Sequence, residues 1–394
     1  MSRGRLLGTT PITPANWNQA PFNRVSFQQV QQLFPTARLS RGATPPTLLS
    51  AQSSPAELRD ISYTGMDRQT HTVEHFVHHS YTDAFLVLKN GSIVLEQYFN
   101  DMAPHSHHLL NSVSKSFVGM LAGILVAEGC LDPERSIASY VPELQHSAFA
   151  NSSVQDALNM TAAVRFGEDY DQHADDFWQE AAVVGWRPNL VSANTPVSLL
   201  DYAASLSETE QADGEHFHYR TVLTNVVGMV LQRVAERPLQ SVLQERLWQR
   251  LGAEQDASVV VDPQGFPYMG AGMSACARDL ARFGELLRND GFYNDQQIVP
   301  AAWVQQTRVG SDRLRHLFAH SDYARMIRGG HYCNQTWADA AAGVLLCVGI
   351  HGQTIHTNQR TGVVIVKLSS HPQPADLTLY GETWRALNAL TEAL

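Results

Sequence analysis

The strongest hydrophobic pattern in the chain is a pair of apolar runs, AFLVL and SIVLEQYF, separated by Asn90-Gly91 within residues 84–99. Asn-Gly suits both central positions of a type I′ turn, so the pattern predicts an antiparallel hairpin. The next segment, VSKSFVGMLAGILVAEGCLD (113–132), repeats apolar residues at helical spacing and gives out at Gly129, which predicts a buried helix. From about 130 to 262 the pattern stays helical, as in SSVQDALNM and TNVVGMVLQRVAERP, around a polar, aromatic loop at 166–188. SACARDLARFGELLRNDG (274–291) reads as an amphipathic helix closed by glycine. Two β-rich runs follow, AGVLLCVGIHGQTIHT and VVIVKLSSH, joined by a turn-like link at 358–362, and the chain closes on the helix LTLYGETWRALNALTEAL. Residues 1–60, rich in Pro, Thr, Ser and Gln, predict an irregular arm wrapped on the body.

Strands at both ends and helices between them predict an α+β fold. One antiparallel sheet would be built from residues 1–130 and 263–394, a helical domain would span 131–262, and a cleft would lie between them. A chain of 394 residues is long enough for two such lobes. Net charge is −10 with no Lys/Arg-rich run, which argues against nucleic acid as a partner. No apolar run reaches the roughly 18 residues of a membrane helix. The N-terminal Leu-Leu pair is too short for a signal-peptide core, so a cytoplasmic protein is expected. Four widely spaced cysteines predict reduced, buried thiols. The histidine-rich stretches at 78–80 and 105–110 lack convergent carboxylates, so no metal is expected. With no glycine-rich phosphate loop either, no cofactor is implied.

The chemistry starts from a rarity. Only three of the 28 basic residues are lysines, Lys89, Lys115 and Lys367. Lys115 stands three residues after Ser112 in NSVSKSF, where the loop region gives way to the apolar helix. Arginine stays protonated in a protein, whereas a desolvated lysine can lose its proton and act as a base. Residues i and i+3 share a helix face, so Lys115 Nζ can reach Ser112 Oγ. Free N–H groups at the helix start would favour an oxyanion. The plain alternative is an N-cap serine beside a solvated lysine. A second element is Tyr219, after a polar loop and before a helix, with Thr221 two residues on. A nearby cation would depress its phenol and let it share the Ser112 proton with Lys115. Cys347-Val348-Gly349-Ile350 offers a third element, in which Ile350 follows a glycine and supplies a second backbone donor. Cys347 as a rival nucleophile lacks a paired histidine.

S-x-x-K is the motif of serine β-lactamases and penicillin-binding proteins. The order of elements resembles their class C and esterase branch, and within it the 6-aminohexanoate-dimer (nylon-oligomer) hydrolases. HLLNSVSKS, DPERSIASYVPEL, EDY, GWR, CARDLAR, GIHGQ and VIVKLSS carry that resemblance, from about residue 10 to the end. It implies a β-lactamase/transpeptidase-like fold and a serine hydrolase of small esters or linear amides. The implied catalytic set is Ser112, Lys115 and Tyr219, with an oxyanion hole from Ser112 and Ile350. The implied substrate contacts are Tyr170, Trp186, Tyr332, Glu180, Gly349 and His351. Tyr170 would meet the leaving amine, and Tyr332 would take the aromatic lid position. Glu180, beside Ala181, would hold a substrate ammonium if it points into the cleft. With Trp178, the aromatic residues Tyr170, Trp186 and Tyr332 would line an acyl pocket. Cys347 departs from the family's usual cation, so β-lactam recognition should be poor. Assembly as a homodimer is left open. A D-Ala-D-Ala peptidase or β-lactamase, and a scaffold that binds without catalysis, are the competing readings of the same fold.

Overall fold

The structure is a computed structural model that describes residues 6–7, 10–52, 56–172 and 175–394. Strands β1 (Thr82–Lys89) and β2 (Ser92–Tyr98) form the predicted hairpin, with Lys89 opposite Ser92. Asn90 and Gly91 both take positive φ, 48° and 82°, as a type I′ turn requires. Five further strands follow late in the chain: β3 (His331–Cys333), β4 (Thr336–Asp339), β5 (Val344–Gly349), β6 (Gln353–Asn358) and β7 (Val363–Ser369). They join the hairpin in one antiparallel sheet of order β3-β4-β5-β6-β7-β1-β2. The two ends of the chain meet where Val366 pairs with Leu86.

Both faces of this sheet are covered, which is why AFLVL reads as a continuous apolar run rather than an alternation. Ala84, Leu86 and Leu88 face the main core, while Phe85 and Val87 pack with Phe76, Leu387 and Leu390. The first face receives α1 (Ser114–Ala127) and α4 (Ala277–Arg288). The second is closed by the helix Val73–His79 and the C-terminal α5 (Leu377–Ala393). Between α1 and α4 the chain is mainly helical and includes α2 (Asp176–Val183) and α3 (Thr221–Ala235). The architecture is α+β.

Several expectations change. The N-terminal arm is partly regular. It holds two short helices (Asn23–Ser26 and Val30–Leu33), and its Thr36–Leu39 strand pairs with Ala257–Val260, a strand inside the span read as helical. Trp17, Phe27 and Phe34 bury it firmly. The β3–β4 hairpin was not legible. Its turn is Asn334-Gln335, both at positive φ, 48° and 63°. Gln335 is held there by tertiary bonds: its backbone N–H donates to the Leu158 carbonyl at 2.9 Å and its Nε2 to the Ala157 carbonyl at 2.9 Å. Cys130 is exposed, whereas Cys276, Cys333 and Cys347 are buried. Among the described residues no group of three or more His, Cys, Asp or Glu side chains could hold a metal. No helix there is long and apolar enough to cross a membrane.

The Asn-Gly turn gives a clean conformational test, because nothing lies closer than 3.8 Å to a Cβ built on Gly91. Gly91→Ala is expected to lower stability by about 1 kcal/mol through left-handed strain alone, measured by denaturant unfolding.

Candidate active site

Ser112 lies at the mouth of a cleft of about 520 Å³, in a tight turn (Asn111–Val113) that runs directly into α1. Leu110 N–H donates to the Met273 carbonyl at 2.8 Å and ties the incoming strand to its neighbour. Asn111 then takes φ 47°, a left-handed conformation that non-glycine residues seldom adopt. Two bonds hold it: Ser114 Oγ donates to its carbonyl at 2.7 Å, and its own Nδ2 donates to the Ile350 carbonyl at 3.0 Å. The second bond ties the Ser112 turn to the end of β5. Gly349 makes that contact possible. A Cβ there would lie 2.5 Å from the Leu110 carbonyl oxygen and 3.1 Å from the Ser112 nitrogen. His351, just beyond Ile350, is also left-handed, at φ 61°. The Ser112 and Ile350 N–H groups thus sit on adjoining backbone, and among the described residues no carbonyl of a neighbouring turn or loop accepts from either.

Lys115 is fully buried, and its Nζ meets three oxygens: Ser112 Oγ at 2.9 Å, Thr221 Oγ1 at 3.0 Å and the Gly270 carbonyl at 2.6 Å. Thr221 Oγ1 in turn donates to Glu168 Oε1 at 2.7 Å, an oxygen that also accepts from the Tyr170 hydroxyl at 2.7 Å. The Thr221 backbone N–H donates to the other Glu168 oxygen. This chain orients the lysine. The Gly270 carbonyl can only accept, and the Thr221 hydroxyl proton is committed to Glu168. When Lys115 is neutral, its two N–H bonds go to those two oxygens and its lone pair faces Ser112 Oγ. Burial pushes Lys115 down to about 8, although the carboxylates of Glu168 and Glu180 work against that fall.

The β-lactamase family model matches residues 70–389. A 6-aminohexanoate-dimer hydrolase of Paenarthrobacter ureafaciens is 33% identical over 362 residues, 91% of this chain and 88% of that protein. This chain belongs to the β-lactamase family. Among solved structures, a Bacillus anthracis protein described as a candidate 6-aminohexanoate-dimer hydrolase superimposes with a TM-score of 0.83 at 22% identity, covering 97% of both chains. A penicillin-binding protein from Bacillus halodurans does so at 0.60 and 14% identity, over 81% of this chain and 99% of that one. The protein is therefore a serine hydrolase of β-lactamase fold.

Against that family frame, the structure brings Ser112, Tyr170, Tyr219, Gly349 and Ile350 to the cleft wall, with Lys115 directly beneath. Other expected contacts lie elsewhere. Glu180 is completely buried behind the lysine, where Asn225 Nδ2 donates to it at 2.9 Å and the Tyr268 hydroxyl at 3.5 Å. Burial pushes its carboxyl up to about 8, and it faces no substrate. Trp186 packs on Trp17 and Tyr268 in the core, and Trp178 is sealed under the Arg187 guanidinium. Tyr332 is buried behind Trp337, and it is Trp337 that lines the cleft, stacked on Tyr219 at 5.2 Å. His351 points inward, its Nδ1 donating to the His371 carbonyl at 2.6 Å. The aromatic rings among them complete the core, whereas Glu180 and His351 are turned inward by buried hydrogen bonds. Tyr219 also departs from expectation. Its phenol is pushed well above its ordinary value by burial and by Tyr332 and Glu168, so it stays protonated and is no depressed phenolate. Burial pushes the Cys347 thiol up to about 12, which removes it as a nucleophile.

Glu168 and Trp337 are the residues that sequence reasoning left without a role, and Thr221 was placed two residues after Tyr219 without its link to the lysine. EDY (168–170) marked the place of Glu168, but nothing local showed that its carboxylate reaches Thr221 across 53 positions.

The lysine sets the expected pH dependence. A base must be unprotonated, so kcat/KM for a neutral ester should rise with pH through about 8, the pH to which burial brings Lys115. Glu168→Gln removes a charge that favours the ammonium, so this limb should move to lower pH. A pH–rate profile for the two proteins checks the sign, and an unmoved limb would assign it to another group.

Proposed function

We propose that the protein hydrolyses small carboxylic esters and linear amides through an acyl-enzyme on Ser112. The hydrogen-bonded chain Ser112–Lys115–Thr221–Glu168 carries the reading, because it supplies a nucleophile and an aligned, desolvated base. Lys115 takes the Ser112 proton as Oγ attacks the carbonyl carbon. The N–H groups of Ser112 and Ile350 hold the oxyanion, an effect of about 3 kcal/mol per donor. Tyr219, whose ring lies against Lys115 Nζ, hands its proton to the departing alcohol or amine and takes up the Ser112 proton from Lys115, so that both regain their starting states. The Tyr170 hydroxyl proton is engaged by Glu168, so toward substrate it offers a lone pair, suited to accept from an amide or amine N–H. Water then cleaves the acyl-enzyme, with Lys115 again as base.

The kinship with a 6-aminohexanoate-dimer hydrolase favours linear amides with a charged amine end. Glu180 cannot hold that ammonium, but exposed Asp169, Asp171 and Asp322 line the cleft and make its rim acidic. These carboxylates replace Glu180 as the proposed ammonium partners. They sit in water, so each contributes little, and amide turnover should be weaker than ester turnover.

Wild type and Ser112→Ala would be compared on p-nitrophenyl butyrate and on the linear 6-aminohexanoate dimer, with products followed by chromatography. The expected result is ester hydrolysis that falls by about 10⁴-fold in the variant, and slower dimer cleavage lost with it. Equal activity of the two proteins would overturn the reading.

A further inference from the structure

Asp83, at the start of β1, is completely buried and takes no part in the chemistry described above. Both of its oxygens are engaged. Oδ1 accepts from Asn100 Nδ2 and from Arg24 Nη1, each at 3.0 Å. Oδ2 accepts from Ser370 Oγ at 2.6 Å and from His108 Nε2 at 3.1 Å. Arg24 Nη1 also donates to Ser370 Oγ, at 3.1 Å. A buried carboxylate is costly unless donors surround it, and donors gathered for that purpose are fixed relative to one another.

The two donors on Oδ2 lead to opposite sides of the oxyanion hole. His108 opens the short strand that runs through Leu109 and Leu110 to Asn111 and Ser112. Leu109 pairs with Ser274, and its N–H donates to the Phe27 carbonyl at 2.8 Å. Ser370 follows β7 and precedes His371, which grips the turn after Ile350. The His371 N–H donates to the His351 carbonyl at 3.1 Å, and its carbonyl accepts from His351 Nδ1 at 2.6 Å. The His371 imidazole packs so closely on Gly352, at φ 89°, that no Cβ would fit there. Lys367 Nζ lies 3.4 Å from its Nε2. Phe27 fills the space between the two arms, its ring T-shaped to His108 and to His351, with centroids at 5.8 and 5.1 Å.

Both donors need such support. Ser112 follows left-handed Asn111, and Ile350 precedes left-handed His351. Residues in that conformation keep it only where their surroundings hold them. The Asn111–Ile350 bond joins the two turns beside the cleft. Asp83 does not line the cleft and joins the supports behind them, through one oxygen.

We propose that Asp83 is a positioning residue for the oxyanion hole. It fixes the separation of the Ser112 and Ile350 N–H groups, through His108 on one side and Ser370–His371 on the other. The proposal rests on the Ser112 acyl-enzyme reading. Asp83 touches no substrate, so loosening the brace weakens the grip on the oxyanion and leaves ground-state binding alone.

Ser370→Ala removes one hydroxyl and cuts one arm. Asp83→Asn keeps the volume and removes the charge that holds both. Wild type, the two single variants and the double variant would be compared in p-nitrophenyl butyrate kinetics and in thermal unfolding. Their affinity for butylboronic acid, whose tetrahedral adduct on Ser112 Oγ places an oxygen in the hole, would be measured as well. Ser370→Ala should lower kcat and kcat/KM together by about tenfold, and Asp83→Asn by about a hundredfold, approaching the loss of a whole donor. KM should not change, and boronate affinity should fall in step with kcat. The double variant should match Asp83→Asn, because both changes cut the same link. Wild-type kcat and boronate affinity in Ser370→Ala, whatever its Tm, would overturn the brace. So would losses that multiply in the double variant, or a raised KM at unchanged kcat. If Asp83→Asn does not fold, Ser370→Ala decides alone, through kcat and boronate affinity. Ester hydrolysis that survives in Ser112→Ala would instead overturn the acyl-enzyme reading beneath it.

Discussion

Everything at this site follows from taking one ammonium group out of water. Lys115 is buried at the start of an apolar helix, where desolvation favours its neutral form. An unpaired buried charge would be costly, so the lysine is surrounded by oxygens that can serve either protonation state. Two of them are fixed as acceptors, the Gly270 carbonyl by its chemistry and the Thr221 hydroxyl by Glu168. The remaining direction is that of Ser112 Oγ. Alignment of the base is thus a consequence of satisfying a buried polar group.

The surroundings serve the same end. Asn225 holds both the Gly270 backbone, through Oδ1 at 2.9 Å, and Glu180, through Nδ2 at 2.9 Å. Glu180 and Lys115 are both displaced toward neutrality by burial, so the pair can be buried without a full ion pair. On the other side of Ser112, two left-handed residues, Asn111 and His351, bracket the two backbone donors. Such strain persists where the surroundings over-determine it. Here the Asn111–Ile350 bond and the close approach at Gly349 do so.

Legibility tracked the range of the interaction. The Asn90-Gly91 turn and the Ser112–Lys115 spacing were readable because each depends on neighbours within four residues. The β3–β4 turn was not, because Gln335 is left-handed only by virtue of bonds to Ala157 and Leu158. The aromatic positions failed for a related reason. Tyr332 and Trp337 are strand partners across one hairpin, and sequence cannot say which ring fills the core and which reaches the cleft. Glu180 was misplaced because an acidic residue on a helix is normally solvated, whereas this one completes a buried network with Asn225 and Tyr268.

By itself, then, the sequence determined the α+β layout, the sheet shared by the two chain ends, the serine, the lysine and the tyrosine. These rest on periodicity, turn chemistry and short spacings, which are local properties of a chain. Tertiary structure alone decided that Thr221 and Glu168 orient the lysine, that Tyr219 stays protonated, and that Trp337 rather than Tyr332 faces the cleft. Each of these depends on which groups lose water together and which distant partners satisfy them, and burial exists only once the chain has folded.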